Sequence, residues 1–416
     1  MPPVLLEVID FVALALPNNI KFQRILNTNA YNNNVVQDKD GFIWIGTEGK
    51  GLFLYDGKEL KKIKIIDTGS TSIISSLFVD RDNLIWFVAQ GLGLYSYNKG
   101  AGCCKSYKSI TGKADTLTSN NFSWLPHTIA EDKDGLIWIG TESGLNFYDK
   151  KTQKFTQYKH DGRNPNSLSN NSVWAVFVDK QGLIWIGTED GLNCYDKATR
   201  KFKCYKHDPS NPNSLSDDHT RAIAEDQDGN LWIGTKHTGI DKFDKKTSTF
   251  ANYRHDPNNP NSLSHNEIHH LMVDKFGNLW ICNESQSGID YFNKIENTFV
   301  HYRYDLKNPF GISSDNILYF FTDKSGIIWV INGSGGIDKC VFKKDIFKNY
   351  LHDSNDKSSI SSNDIAQVYE DKDKNIWVGT YKGGLCLYTK EDKFEIFNHI
   401  DTDPSSLPGT TVYSIF

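Results

Sequence analysis

The sequence has few methionines, no long apolar run and no excess of positive charge. Of its 416 residues only 2 are Met, and 46 Lys and Arg stand against 51 Asp and Glu, for a net charge of −5. This balance argues against nucleic-acid binding, which normally requires a basic surface. No apolar run approaches the roughly 18 residues of a membrane-spanning helix, so we expect no integral membrane segment in these residues.

The cysteines do not have the spacing of a metal site. There are seven of them, an odd number, and no Cys-x-x-Cys pair, so neither a zinc site nor a disulfide framework is expected. The Asp-Lys-Asp-Gly phrase at 38–41 resembles the start of a calcium loop but lacks the later ligands. Nucleotide-binding and nucleophile-elbow motifs are also missing. We predict no metal, no cofactor and no catalytic residues.

Residues 1–19 do not match the rest of the chain. Their apolar stretch at 11–16 is interrupted upstream by Glu7 and Asp10, and no Lys or Arg precedes it, which is atypical of a secretion signal peptide. We predict a leader or disordered segment over 1–19 and repeats over 20–416.

What the sequence has in abundance is aromatic residues, arranged in a repeat. It contains 10 Trp, 19 Tyr and 24 Phe, and the phrase Asp-x-x-Gly-x-Ile-Trp-Ile-Gly-Thr recurs. The eight copies are centred on Trp44, Trp86, Trp138, Trp185, Trp232, Trp280, Trp329 and Trp377, spaced 42 to 52 residues apart. Such a period indicates a repeat architecture.

Each copy has the same internal plan. In residues 172–207, four short alternating segments are separated by turns of two to five residues containing Gly or Asp, which favours antiparallel hairpins. The polar link to the next copy reads HDPSNPNSLSDD at 207–218. The unit is therefore a four-stranded antiparallel sheet followed by a crossover loop.

A sheet that is apolar on both faces needs neighbours on both sides. Stacking such sheets around an axis buries both faces, so we predict an all-β fold, a β-propeller of four-stranded blades. The recurrent Trp is expected to pack between adjacent sheets. The eight repeats in line allow a seven-bladed or an eight-bladed ring.

Two end segments bear on that choice. Residues 19–25 resemble a fourth strand without a preceding blade, which could complete the last blade, and residues 411–416 match the opening of a ninth copy. Either seven repeats close a ring and the eighth starts a second one, or eight repeats form one ring.

The phrase DKDGLIWIGTESGLNFYD at 132–149, together with the Asn-Pro-Asn-Ser-Leu-Ser linkers, resembles the two-component regulator propeller repeat. The resemblance extends over residues 20–416. It implies the extracytoplasmic sensor part of a membrane histidine kinase, as in hybrid two-component systems of gut bacteria. In that family, two seven-bladed propellers usually precede an immunoglobulin-like domain, a membrane helix and a kinase.

This chain has no phosphoacceptor, receiver, cyclase or DNA-binding region, so the resemblance implies a sensing module without catalysis. It implies a location on the outer side of a bacterial inner membrane. It also implies attachment to the membrane through other parts of the receptor, and a homodimer in the full receptor.

A comparison among the repeats gives candidate ligand contacts. The residues eleven positions before each motif Trp vary from copy to copy, and the third to sixth are His127, Trp174, Arg221 and His269. In a propeller this position lies at the start of the innermost strand, so we expect these four side chains at one mouth of the central channel. An aromatic face beside cationic donors suits an oligosaccharide with carboxylate or sulfate groups. The alternative is that these large polar residues only line a water-filled channel mouth.

Other functions fit the same fold. A propeller can be an enzyme, such as a polysaccharide or streptogramin-type lyase or a glycoside hydrolase, or a protein-interaction scaffold. The sequence favours the ligand-binding module, because no cluster of titratable groups departs from the repeat and the linkers are polar.

Overall fold

A computed structural model describes residues 20–65, 73–125, 127–283, 287–294, 296–308, 310–342, 350–389 and 393–415. Over these ranges the fold is all-β, with 32 strands in eight four-stranded antiparallel sheets. The chain divides into two compact units, unit 1 (residues 1–343) and unit 2 (residues 344–416). The predicted leader at 1–19 lies outside the described residues. A search of the described part found no helix long and apolar enough to cross a membrane.

Each sheet corresponds to one repeat, and the strands are as follows. The first three sheets are β2 (Tyr31–Gln37), β3 (Ile43–Glu48), β4 (Gly51–Tyr55) and β5 (Leu60–Lys62); β6 (Ile74–Val79), β7 (Ile85–Ala89), β8 (Gly93–Asn98) and β9 (Cys103–Tyr107); and β10 (Ile129–Glu131), β11 (Ile137–Thr141), β12 (Gly144–Asp149) and β13 (Lys154–Tyr158). The next three are β14 (Val173–Val178), β15 (Ile184–Thr188), β16 (Gly191–Asp196) and β17 (Lys201–Tyr205); β18 (Thr220–Glu225), β19 (Leu231–Thr235), β20 (Ile240–Asp244) and β21 (Thr249–Tyr253); and β22 (Ile268–Val273), β23 (Leu279–Asn283), β24 (Ile289–Asn293) and β25 (Thr298–Tyr302). The seventh is β26 (Ile317–Thr322), β27 (Ile328–Asn332) and β28 (Gly336–Phe342) with β1 (Ile20–Asn27), and the eighth is β29 (Ile365–Glu370), β30 (Ile376–Thr380), β31 (Leu385–Tyr388) and β32 (Phe394–Phe397).

The motif Asp and Trp build the first hairpin of every sheet. In the fourth sheet, Oδ1 of Asp179 accepts hydrogen bonds from the backbone N–H groups of Gly182 and Leu183, both at 2.8 Å, and Oδ2 accepts one from Nε1 of Trp185 at 2.9 Å. Gly182 has a φ of +93°, a value that favours glycine. The Asp-to-Trp bond recurs in the described part of all eight repeats, at 2.9 to 3.3 Å.

The motif tryptophans pack between sheets, as predicted. In unit 1 each is at most 3% exposed. The ring of Trp185 lies 5.6 Å from that of Phe243 in the fifth sheet, and Trp138 lies 5.5 Å from Tyr195 in the fourth. The tryptophan of one repeat is therefore buried by the third strand of the next.

Charged groups also connect neighbouring sheets. Nζ of Lys245, at the end of β20, lies 3.0 Å from Oδ2 of Asp179 and 2.7 Å from Oε1 of Glu225. Lys197 reaches Asp132 of the preceding sheet in the same way, at 2.7 Å. The buried carboxylate of one repeat thus binds both the tryptophan of its own repeat and a lysine of the next.

The crossover loops are anchored by one side chain of the third strand. In the fourth repeat, Asn193 accepts from the backbone N–H of Ser169 at 3.0 Å. In the fifth, Asp241 takes this place and accepts from both the N–H and the hydroxyl of Ser216, at 3.0 and 2.8 Å. Burial raises the pKa of Asp241. These bonds fix the loop that leads into the innermost strand.

Unit 1 is a closed ring of seven sheets. Its innermost strands contact one another in sequence, β2 with β6, β6 with β10, and so on to β26, which contacts β2. Strand β1 pairs with β28, from Ile20 opposite Phe342 to Asn27 opposite Gly336, and so supplies the fourth strand of the seventh sheet. Of the two closures that the sequence allows, the structure has the seven-bladed one, with the eighth sheet in unit 2. Below, unit 1 is called the ring.

Candidate functional site

The column of variable residues eleven positions before each motif Trp coincides with a β-bulge. In six sheets of the described ring, the pairing of the first two strands skips this one residue: Asn33, Ser75, Trp174, Arg221, His269 and Leu318. A bulge leaves one residue outside the ladder and redirects its side chain, and bulges are frequent beside functional sites. The sequence predicted the variable column but not the bulges.

The third sheet departs from this pattern. Counting back from Trp138 gives His127, whereas counting forward from the linker Ser-Asn-Asn, as in 169–174, gives Trp124. Three additional residues separate the two positions, and β10 begins only at Ile129. Trp124 is 57% exposed. Sequence analysis missed Trp124 because it counted from one end of the repeat only.

Trp174 and Arg221, two of the four candidate residues, lie together. The guanidinium carbon of Arg221 is 5.5 Å from the centroid of the Trp174 ring, and the His219 ring is 5.0 Å from it. Nη1 of Arg221 donates to Oε1 of Glu267 at 3.1 Å. The four side chains come from the fourth, fifth and sixth sheets, at the crossover-loop end of the innermost strands. They are called the Trp174 cluster below.

Within the Trp174 cluster, buried polar atoms are left over. Neither Nε1 of Trp174 nor Nε2 of His219 has a hydrogen-bond partner among the described residues, although both atoms are buried. Burial and the positive charge of Arg221 lower the pKa of His219 to about 4, so its ring is neutral at pH 7. Buried polar groups normally have partners, so these two atoms require an explanation such as a ligand or an ordered water.

Arg221 itself is largely enclosed. Its side chain is 6% exposed, against 28% for Glu267. The positive charge that the sequence offers to an anion is therefore already paired with a carboxylate, and an acidic ligand group would have to compete with Glu267 for it.

His127 and His269 have other neighbours. The His127 ring lies beside that of His270, with centroids 4.3 Å apart and the planes 25° from parallel, and its Nε2 lies against Nδ1 of His270, so the two rings meet edge to edge. The Tyr319 ring lies 4.5 Å from that of His270 and 5.6 Å from that of His127, so the three rings form a triangle. His269, one residue earlier, has its Nδ1 at 3.0 Å from the carbonyl oxygen of Leu318. The structure thus brings two of the four predicted residues into the Trp174 cluster and assigns the other two different contacts.

The side chains of His127, His270 and Tyr319 lie at the centre of the seven-sheet ring. They come from the third, sixth and seventh sheets, so they span the channel. The residues ten positions before the motif Trp explain why there is room for them: in the first five repeats they are Asn34, Ser76, Thr128, Ala175 and Ala222, and only the sixth and seventh have His270 and Tyr319. We did not predict this row.

A cavity of about 500 Å³ extends from these rings toward the hairpin turns that hold the motif Asp. His127, His270 and Tyr319 lie at its inner end, and Phe177, Ala224 and Met272 are among its walls. Trp174 and Arg221 do not line it. The ring therefore has two separate candidate sites, the Trp174 cluster near the crossover loops and this channel cavity.

Several segments of the chain match a known family of repeats. The two component regulator propeller model matches six segments, residues 25–49, 116–143, 167–190, 214–237, 262–285 and 359–382. No match was found among curated protein sequences.

Solved structures agree on the fold. The extracellular domain of a hybrid two component system from B. thetaiotaomicron is 23% identical, with a TM-score of 0.64 over 91% of this chain and 55% of that one. The extracellular domain of a one component system from the same organism is 21% identical, with a TM-score of 0.62 over 92% and 54%. This chain therefore spans about half the length of these two. Virginiamycin B lyase from Staphylococcus aureus is 14% identical, with a TM-score of 0.59 over 78% of this chain and 100% of the lyase.

The six matched segments fall in the first and in the third to sixth repeats of the ring and in the repeat that forms unit 2. They contain the Asp and Trp residues that build each hairpin and, in all but 262–285, the Gly-Thr pair. The chain carries the two component regulator propeller repeat in these six segments.

Proposed function

We propose that this chain is the ligand-sensing module of an extracytoplasmic two-component receptor, that its ligand is an oligosaccharide, and that it carries out no catalysis. The repeat family supports a regulatory role; one protein of similar fold is the extracellular domain of a hybrid two component system, and another is that of a one component system. In the receptor, ligand binding would shift the population of states of the attached signalling domains. Membrane attachment and homodimer contacts would belong to other parts of the receptor.

The observation that carries the proposal is the unpartnered nitrogen pair of the Trp174 cluster. The indole offers an apolar face to the C–H groups of a sugar and an unused N–H donor at Nε1. Nε2 of His219 lies in the same cluster. A sugar hydroxyl both donates and accepts, so hydroxyls can satisfy the two atoms.

The charge of the ligand depends on the pair of Arg221 and Glu267. A neutral sugar would leave their 3.1 Å bond intact. A uronic acid or sulfated sugar would take the place of the Glu267 carboxylate on the guanidinium, because arginine binds such groups through two parallel N–H donors.

The experiment is a thermal-shift screen of the full chain with maltotetraose, trigalacturonate and a chondroitin sulfate tetrasaccharide. A ligand at about 100 times its Kd adds roughly 2.7 kcal/mol to the free energy of unfolding, which is readily measured. We expect one member of the panel to raise the Tm. We expect Trp174→Ala to abolish the shift, and Ser75→Ala, at the same bulge position in the second sheet, to leave it unchanged.

A second pair of variants reports on charge. If the ligand is acidic, Glu267→Gln should strengthen its binding and Arg221→Gln should weaken it, whereas a neutral ligand should respond weakly to both. If the oligosaccharide still raises the Tm of Trp174→Ala, the binding function stands but the Trp174 cluster is rejected as its site. No shift with any oligosaccharide would reject the oligosaccharide, and turnover of the ligand, seen by chromatography, would reject the non-catalytic role.

A further inference from the structure

The channel cavity has a polar inner end and mainly apolar walls. Phe177, Ala224 and Met272 occupy the same row of their three innermost strands, and Phe321 of β26 continues it. A volume of about 500 Å³ falls in the range of small-molecule sites, roughly 300–1,000 Å³. Apolar walls of this kind favour a ligand with an aromatic or aliphatic body.

The hydrogen bonds of the two histidines fix what the inner end offers. Nε2 of His270 lies 3.2 Å from the carbonyl oxygen of Phe320, which can only accept, so this nitrogen carries a proton. A neutral His270 then has a lone pair at Nδ1, and Nε2 of His127, which lies against it, must donate. This leaves Nδ1 of His127 as an acceptor on a side chain that lines the cavity.

Both rings are neutral at pH 7. Burial lowers the pKa of His127 to about 4 and that of His270 well below its usual value, and the neighbouring histidines add to both shifts. A neutral acceptor selects a donor without charge, such as a hydroxyl or an N–H group.

The charged groups at the outer end of the cavity already have hydrogen-bond partners within the protein. Oε2 of Glu225 accepts from the backbone N–H of Lys180 at 2.9 Å, and its Oε1 is bound by Lys245. Nζ of Lys180 donates to the carbonyl oxygen of Asp226 at 2.7 Å, and Asp179 holds Lys245 and Trp185. The two carboxylates are neutralised by Lys245 and the Lys180 ammonium is held by a carbonyl oxygen, so these groups already have partners within the protein.

We propose that the channel cavity is a second binding site, which takes a neutral aromatic molecule with one hydroxyl or N–H donor, of the phenol or indole class, with the donor bound to Nδ1 of His127. This site is independent of the Trp174 cluster and of the oligosaccharide.

The test uses the full chain with 2-naphthol and its methyl ether, 2-methoxynaphthalene, which has the same rings but no donor. Binding is measured at pH 7 by titration calorimetry or ligand fluorescence. We expect saturable binding of 2-naphthol, with the ether at least about five-fold weaker, because one neutral hydrogen bond is lost. If neither compound binds saturably, the proposal is overturned and the cavity is assigned to water.

Two variants and a control locate the site. Ala224→Met, which copies Met272 of the next sheet, should weaken both compounds at least about ten-fold by filling the cavity. His127→Phe should remove the preference for 2-naphthol over its ether. Trp174→Ala should change neither affinity. Equal binding to the wild type and Ala224→Met, or loss of binding in Trp174→Ala, would overturn the assignment.

A spectroscopic measurement covers variants that fail to fold. In the wild-type chain labelled with ¹⁵N-histidine, 2-naphthol should move the Nδ1 resonance of His127 and the ether should not. An unmoved His127 resonance at saturation would reject the hydrogen bond.

Discussion

The eighth sheet has the same strand pairing as the sheets of the ring but not the same burial. Trp377 donates to Asp371 at 2.9 Å, as Trp185 does to Asp179. Yet Ile376 is 36% exposed, whereas its equivalent Ile184 is fully buried. Val368 is 60% exposed against 4% for Val176. The repeat phrase therefore suffices to specify a sheet, while most of the apolar burial comes from the sheets on either side.

The start of a ninth copy covers part of the eighth sheet. The N–H of Gly384 donates to the carbonyl oxygen of Thr410 at 2.8 Å, which reproduces the bond from Gly191 to Asp218 in the ring, at 2.7 Å. The N–H of Val412 donates to the carbonyl oxygen of Thr380 at 3.1 Å. The crossover after the eighth sheet is thus built like those in the ring, although residues 411–415 form no strand.

The largest effect should come from the strand that closes the ring. Deletion of residues 1–27 removes β1, leaves β28 with an open edge and exposes the core around Phe22, so we expect the cooperative unfolding of the ring to be lost. Deletion of residues 344–416 should leave it in place. Circular dichroism melts of both truncations test the contrast, and a ring that unfolds cooperatively without β1 would contradict it.

Two equivalent isoleucines compare burial directly. Ile184→Ala should lower the free energy of unfolding of the ring by about 2–5 kcal/mol, the usual range for a buried cavity-forming change. Ile376→Ala should cost less than about 1 kcal/mol in unit 2, because its side chain is already partly in water. Urea titrations of the two variants measure both values, and equal costs would show that the eighth sheet is buried after all.

The contact between His127 and His270 predicts that the ring loses stability in acid. Burial holds the pKa of His127 near 4, below the ordinary 6.5, so folding favours the neutral form. The stabilisation is present above pH 6.5 and is lost as the pH falls toward 4, by up to about 3 kcal/mol for such a shift. Stability measured between pH 7 and 4 should fall less in His127→Phe than in the wild type. The same slope in both would exclude His127 as its source.

The smallest contrast concerns the tryptophan nitrogens. Trp185→Phe loses a buried hydrogen bond and part of a buried ring, so we expect a cost of about 2–3 kcal/mol. Trp377→Phe changes a half-buried side chain, and about 1 kcal/mol is expected. Thermal melts can rank the two, and a larger loss from Trp377→Phe would contradict the comparison.

The hairpins, the crossover loops and the packing of the motif tryptophans could be predicted from the sequence because all three repeat within one copy. The number of blades could not. It depends on the pairing of β1 with β28, more than 300 residues apart, and residues 19–25 have the pattern of a fourth strand whichever sheet they join.

The candidate sites divide in the same way. Trp174 and Arg221 belong to adjacent repeats at one position, so their contact follows from the repeat. His127 and His270 belong to the third and sixth repeats, and only a closed seven-sheet ring of this diameter brings them together. Trp124 was missed because an insertion shifts the count within its own repeat.

The pairing of β1 with β28 also affects how the ring is made in the cell. Strand β1 finds its partner only after residue 342 has left the ribosome, since Ile20 pairs with Phe342. Until then β1 can pair only with the wrong edge, and the later sheets must form while the ring is open. Contacts of such long sequence separation slow folding and expose unpaired edges to aggregation. The emergence of residue 342, rather than the formation of any one sheet, therefore sets the earliest moment at which the ring can close.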